Sequence, residues 1–273
     1  MPVGQLLKKP KTKVLKQGVT LVHDTEAEKA PLKYVSFKLV DIQANAIYEE
    51  TLGSYECCIV VVRGTVTVTD GEHVFSNIGT RSSVFERKPT DSVYLSNGRS
   101  FTVTGTSEAC IALCYAPSNK QLPTKLIKAS DVGIENRGQL QNKRLVHNIL
   151  PDSDKTANSL LVVEVFTESG NWSSYPPHKH DEDNLPYESF LEETYYHEID
   201  PPQGFVFQRV YTESRNIDET MAVENGDVVI VPAGYHPVGV PDGYASYYLN
   251  VMAGPVRIWK FRNEKDHEWI LSR

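Results

Sequence analysis

The chain has 273 residues, of which 40% are hydrophobic and 23% charged, and its formal net charge is −7. That length holds one large domain or two ordinary ones with a sizeable core, and the composition is that of an ordered globular protein. The acidic balance argues against nucleic acid as a partner, and no apolar run reaches the roughly 18 residues needed to cross a bilayer.

Lys8, Lys9, Lys11, Lys13 and Lys16 crowd near the start. Neither an apolar signal core nor an Arg-rich amphipathic pattern accompanies them, so they read as a solvated basic arm of a cytoplasmic protein. From there a period of two dominates. YVSFKLVDI, CCIVVVRGTVTVTD, SVYLS and ACIALCYA are β-branched or aromatic runs, with turn signals at 70–72, 77–79 and 97–99. Adjacent Cys57 and Cys58 point to opposite faces of a strand, and Cys110 and Cys114 sit in a buried apolar run. Reduced core thiols are expected, not a disulfide framework.

Residues 122–156 are more polar and less periodic, with one short helical or 3₁₀ turn expected within 125–131; they read as a connector. Strand patterns then resume in SLLVVEVFTE, ETYYHEI, GFVFQRVYT, DVVIVPAG and YASYYLNVMAG. The expectation is an all-β chain of two sandwich or barrel domains of similar design, 1–121 and 157–273, the second carrying a site.

Three elements carry that site. His178 and His180 stand at i and i+2, so on a strand both imidazoles leave one face, although His-x-His alone is a weak signal. In EETYYHEI, Glu193, Tyr195 and His197 share one face while Glu192, Thr194 and Tyr196 share the other. A carboxylate buried there needs compensation, and a divalent cation is one form of it; a solvated strand end is the competing reading, and Glu192 stays open beside Glu193. In GDVVIVPAGYHPVG, a strand and a Pro-x-Gly turn precede His236 and let it point back into a barrel mouth.

Together these residues resemble the two motifs of the cupin superfamily: His-x-His with a glutamate, then G-x5-P-x-G and a histidine. Gly226, Pro232 and Gly234 fit the second. Two departures stand out. Twelve residues separate His180 from Glu193, so DEDNLPYESFLE must form a looped insertion, and only Tyr235 lies between Gly234 and His236. Longer strings, including SSYPPHKHD, LEETYYH, AVENGDVVIVPAGYHPVG, YYLNVMAGP and, in the first half, ECCIVVVRGTVTVT and RSSVFERKPTDSVYL, resemble the 5-deoxy-glucuronate isomerase family of bacterial myo-inositol catabolism. That family is related to 5-keto-4-deoxyuronate isomerase. The resemblance implies a bicupin whose C-terminal cupin holds one divalent transition metal (Zn, Mn, Fe or Ni) through His178, His180, Glu193 and His236.

It also implies aldose–ketose isomerisation of 5-deoxy-glucuronate to 5-dehydro-2-deoxy-gluconate through an enediol(ate). Such a reaction needs a proton shuttle, for which Tyr195 and His197 are candidates, with a core role for His197 equally open. It needs a cation for the substrate carboxylate, for which Arg209 is expected, with Lys179 second. A non-haem metal cupin dioxygenase and a non-catalytic sugar-acid-binding cupin are the competing functions. The expected partner is a small sugar acid, and a homo-oligomer is left open.

Overall fold

The run CCIVVVR forms part of the strand Tyr55–Arg63, because β-branched side chains pack well on a pleated surface and crowd a helix. The same rule holds along the chain. The computed structural model describes residues 6–26 and 28–273, so residues 1–5 of the expected first domain lie outside the described residues. Among the described residues no helix is long and apolar enough to cross a membrane.

In the first half, a seven-stranded antiparallel sheet takes the order Lys125–Ile127, Ser92–Leu95, Tyr55–Arg63, Ala109–Pro117, Ser36–Ile42, Val19–Asp24, Lys13–Lys16. A four-stranded sheet of Ile47–Thr51, Ser100–Gly105, Val66–Thr69 and Val74–Ile78 closes over it. The second half repeats the plan. Its seven strands run Leu7–Lys8, Val228–Val231, Glu192–Asp200, Ala245–Ala253, Leu161–Thr167, Arg144–Leu150, Gly133–Arg137. Its four are Trp172–Ser173, Val238–Gly239, Phe205–Tyr211 and Asp218–Glu224.

The two large sheets pack against each other. Phe37 of the first stacks on Tyr196 of the second with ring centroids 6.0 Å apart, and Cys58, Cys110 and Cys114 share one core cluster with Tyr247 and Leu249. Their central strands are therefore buried on both faces, which is why they read as unbroken apolar runs and not as alternation. All four cysteines are free and buried, and burial pushes their thiol pKa values up.

Several links cross between the halves. Leu7–Lys8 precedes the first barrel yet pairs with Val228–Val231 of the second, and Lys9 reaches Glu224 at 2.6 Å and Asp227 at 2.8 Å. The start of the expected solvated arm is thus a docked edge strand, because Leu6 is buried beside it; Lys11, Lys13 and Lys16 stay exposed. Conversely, Lys125–Ile127 completes the first sheet by pairing with Ser92–Leu95. The stretch 122–156 holds that strand, the 3₁₀ turn Ala129–Asp131, and the strands Gly133–Arg137 and Arg144–Leu150. Polarity hid them, since Gly133–Arg137 is an exposed edge strand with little apolar alternation.

Buried glutamates join the halves reciprocally. Glu56 accepts from the backbone N–H groups of Asn158, Ser159 and Leu160 at 2.9, 2.6 and 2.8 Å. Glu192 accepts from those of Lys33 and Tyr34 at 2.8 and 2.6 Å. Arg81 of the first half pairs with buried Glu164 of the second, which also meets His147 Nδ1 at 3.3 Å. Each of these buried charges has a partner, as burial of an ion demands.

Candidate metal centre and active site

His178 opens the short strand His178–Lys179, which pairs with Arg262–Asn263. Alternation sends its neighbour Lys179 the other way, into a cage of Asp181, Glu182 and Glu188 at 2.5, 2.8 and 3.0 Å. Arg262 adds its own bridges to Glu182 at 3.3 Å and Glu188 at 3.2 Å. This acidic trio is filled by cations of the chain itself. Lys179 is therefore occupied, and the insertion after His180 is tied down at its near end.

The insertion closes on itself. The Leu191 N–H donates to the His180 carbonyl at 2.9 Å, and His180 Nδ1 meets the Leu191 carbonyl at 3.0 Å. His180 is thereby fixed beside Leu191, which stands two residues before Glu193, so the long separation in sequence is closed in space. Alternation then separates the glutamates. Glu192 faces the other barrel and its backbone amides, while Glu193 faces inward beside Asn250, whose Nδ2 donates to it at 3.0 Å.

His236 arrives by a turn that only glycine permits. Gly234 has φ of +96°, and a Cβ there would lie 2.4 Å from the Tyr211 carbonyl oxygen. Paired hydrogen bonds between Tyr211 and Tyr235, at 2.9 and 2.8 Å, hold the turn. His236 Nδ1 then meets the Gly234 carbonyl at 2.8 Å.

His180, Glu193 and His236 converge so that one ligand atom of each lies within 4.8 Å of the others, and all three are buried. A carbonyl facing each Nδ1 requires a proton there, which leaves the Nε2 lone pairs of His180 and His236 aimed at the centre. Both Nε2 atoms are buried without a hydrogen-bond partner. His180 Nε2 lies 2.5 Å from Glu193 Oε1, and His236 Nε2 lies 3.7 Å from Glu193 Oε2. Converging lone pairs in a dry site call for a cation between them, and two imidazoles with a carboxylate suit a divalent transition metal. Burial alone would raise the Glu193 pKa, but the imidazoles beside it hold its carboxyl well below the usual range. His178 stands next to this trio, its ring 5.1 Å from that of His236 and packed 4.4 Å from that of Phe261. It lies outside the set of converging atoms.

The model of the KduI/IolB family matches residues 6–270 of this sequence. The chain belongs to the KduI/IolB family. It is 70% identical to the 5-deoxy-glucuronate isomerase of Bacillus licheniformis, covering 99% of this chain and 100% of that one. It is 69% identical to the 5-deoxy-glucuronate isomerase of Bacillus subtilis strain 168, with the same coverage. Among solved structures, an IolB-like protein from Salmonella typhimurium matches with a TM-score of 0.92 at 46% identity, over 97% of this chain and 98% of that one. An oxalate decarboxylase from Lactobacillus farciminis shares the fold, with a TM-score of 0.68 at 13% identity over 96% and 89% of the two chains. This KduI/IolB protein is therefore an isomerase with a bicupin fold.

Within that isomerase, the residues expected to handle protons are placed unequally. Tyr195 is at the centre: its ring is 5.8 Å from that of His236, and its hydroxyl is 3.3 Å from Ser174 Oγ. His197 lies behind it, stacked at 6.1 Å on Tyr195 and held by Gln208 through Nε2 at 3.1 Å. Burial lowers the His197 pKa to about 4, so its ring is neutral.

Arg209 is not brought to the site, which corrects its expected role as carboxylate clamp. Gln208 takes the inward face of Phe205–Tyr211, so alternation turns Arg209 outward, where it pairs with Asp218 at 2.8 Å and stacks on Tyr211 at 4.2 Å. The aromatic face of that strand, which suggested an interior, is in part solvent-facing: Phe207 is 49% exposed. Sequence reasoning missed Asn250, Tyr248 and Gln208. Ser246, Tyr248 and Asn250 alternate along Ala245–Ala253, and that polar parity within an apolar run was the available signal.

Proposed function

We propose that this isomerase converts 5-deoxy-glucuronate to 5-dehydro-2-deoxy-gluconate, with a divalent transition metal held by His180, Glu193 and His236 and completed by His178. The observation that carries the reading is the convergence of three buried ligand atoms, two of them imidazole nitrogens whose tautomers are set from behind by backbone carbonyls. The names of the full-length relatives support the substrate.

The reaction conserves all atoms: C2 loses a proton and C1 gains one, the O2 hydroxyl gives up its proton and O1 takes one, and the carbonyl moves from C1 to C2. The bound metal would supply Lewis-acid stabilisation of the charge developing on the C1 and C2 oxygens. Burial pushes the Tyr195 pKa well above its ordinary value. Tyr195 thus keeps its proton at neutral pH and serves as donor to a substrate oxygen beside Glu193. His197 acts through Tyr195, as a positioning residue that fixes the phenol ring by stacking. Glu193, with no proton of its own, balances the charge of the site.

The test is to load purified protein with Zn, Mn, Fe or Ni in turn, add 5-deoxy-glucuronate and follow ketose formation by NMR. Turnover with at least one metal is expected. Protein that binds all four metals and turns over with none would overturn the reading.

A further inference from the structure

Arg144 opens the strand Arg144–Leu150, and its pairing fixes which way it faces. Arg144 is opposite Thr167, Val146 is opposite Val165, and Val165 is opposite Tyr248, which is itself opposite His197. Parity therefore puts Arg144 on the same face of the sheet as Tyr248, His197, Tyr195 and Glu193. Its charge is felt by the groups of the site: Tyr248 and Tyr195 act on Arg144, and Arg144 acts on His178.

Its bonding is unlike that of its fellows. Among the described residues, every other arginine except the C-terminal Arg273 has a carboxylate within ion-pair distance. Arg144 has none; its Nη1 donates to the Asn142 carbonyl at 2.9 Å, within its own hairpin. Asn142 is in turn fastened through Nδ2 to the Tyr175 carbonyl at 3.2 Å, three residues before His178. The hairpin that carries Arg144 is thus anchored to the segment leading into the His-x-His motif. A half-buried guanidinium without a counter-charge is costly, and burial lowers its pKa. The missing partner is an anion, and a planar fork suits a carboxylate.

We propose that Arg144 binds the carboxylate of the sugar-acid substrate and so selects acids over neutral aldoses at this site. The inference rests on the sugar-acid reading given under Proposed function. It gives Arg144 the part that sequence reasoning assigned to Arg209.

The experiment compares wild type, Arg144→Gln, Arg144→Lys and, as a control, Arg209→Gln. Each is assayed with 5-deoxy-glucuronate and with 5-deoxy-glucose, in which a primary alcohol replaces the carboxylate. For Arg144→Gln, KM for the acid is expected to rise roughly 10- to 100-fold, as loss of a charged hydrogen-bonding partner implies, with the neutral sugar unaffected. The preference for acid should collapse, stay partial in Arg144→Lys and be unchanged in Arg209→Gln. A folded Arg144→Gln protein that keeps the wild-type preference overturns the proposal, and so does Arg144→Lys with full preference if the glutamine variant fails to fold. Calorimetric binding of D-glucuronate against D-glucose separates the two readings. If wild type turns over no 5-deoxy-glucuronate, the proposed reaction fails, while binding of D-glucuronate that depends on Arg144 still decides for the subsite and its absence decides against it.

Discussion

The two barrels share a strand order, yet only the second gathers histidines and a glutamate inside. Tyr55–Arg63 and Glu192–Asp200 occupy the same place in their sheets, and each offers a glutamate, Glu56 or Glu192, to backbone amides of the other half. One residue further on they part. Cys57, Ile59 and Val61 point into an apolar core, where the second barrel has Glu193, Tyr195 and His197. The first barrel shows that the fold needs no histidines or glutamate at these strand positions. The second keeps a histidine–glutamate lining against the stability cost of burial, as the proposed chemistry of that site requires.

Three tests would break or sharpen this contrast. The largest effect is expected from Cys57→Glu, which buries an uncompensated carboxylate in the first barrel. A loss of roughly 4 kcal/mol or more is anticipated by urea denaturation; wild-type stability would mean that this core already contains compensating groups. The next concerns acid. Burial lowers the His197 pKa from 6.5 to about 4, so the folded state binds that proton more weakly than the unfolded chain does. Its contribution, roughly 3 kcal/mol, is complete above about pH 6.5 and is lost as pH falls toward 4. Denaturation curves of wild type and His197→Gln should therefore converge over that window, and a constant gap would sink the assignment. The smallest effect is shared. Glu56→Ala and Glu192→Ala each leave buried amides unpaired and should each cost roughly 2 kcal/mol, with bound metal retained in both. Metal loss in Glu192→Ala alone would put Glu192 in the site.

Much of this was legible in the sequence. Period two located the strands, and parity alone put Glu193, Tyr195 and His197 on one face, because strand geometry is local. What was not legible depended on distant partners. Glu192 is told from Glu193 by amides at Lys33 and Tyr34, far away along the chain. Parity set Arg209 apart from Gln208, but only the closed barrel shows that Gln208 faces in. Arg144 lay in a stretch too polar to read as strand, and the docked arm at Leu7–Lys8 is defined by a partner more than two hundred residues on.

The central claim is that the buried trio holds a catalytic metal, and the direct measurement is metal content against turnover. Protein stripped with a chelator and then titrated with divalent metal should regain ketose formation in proportion to bound metal, saturating at one ion per chain. Full turnover of 5-deoxy-glucuronate by protein shown to be metal-free would contradict the account.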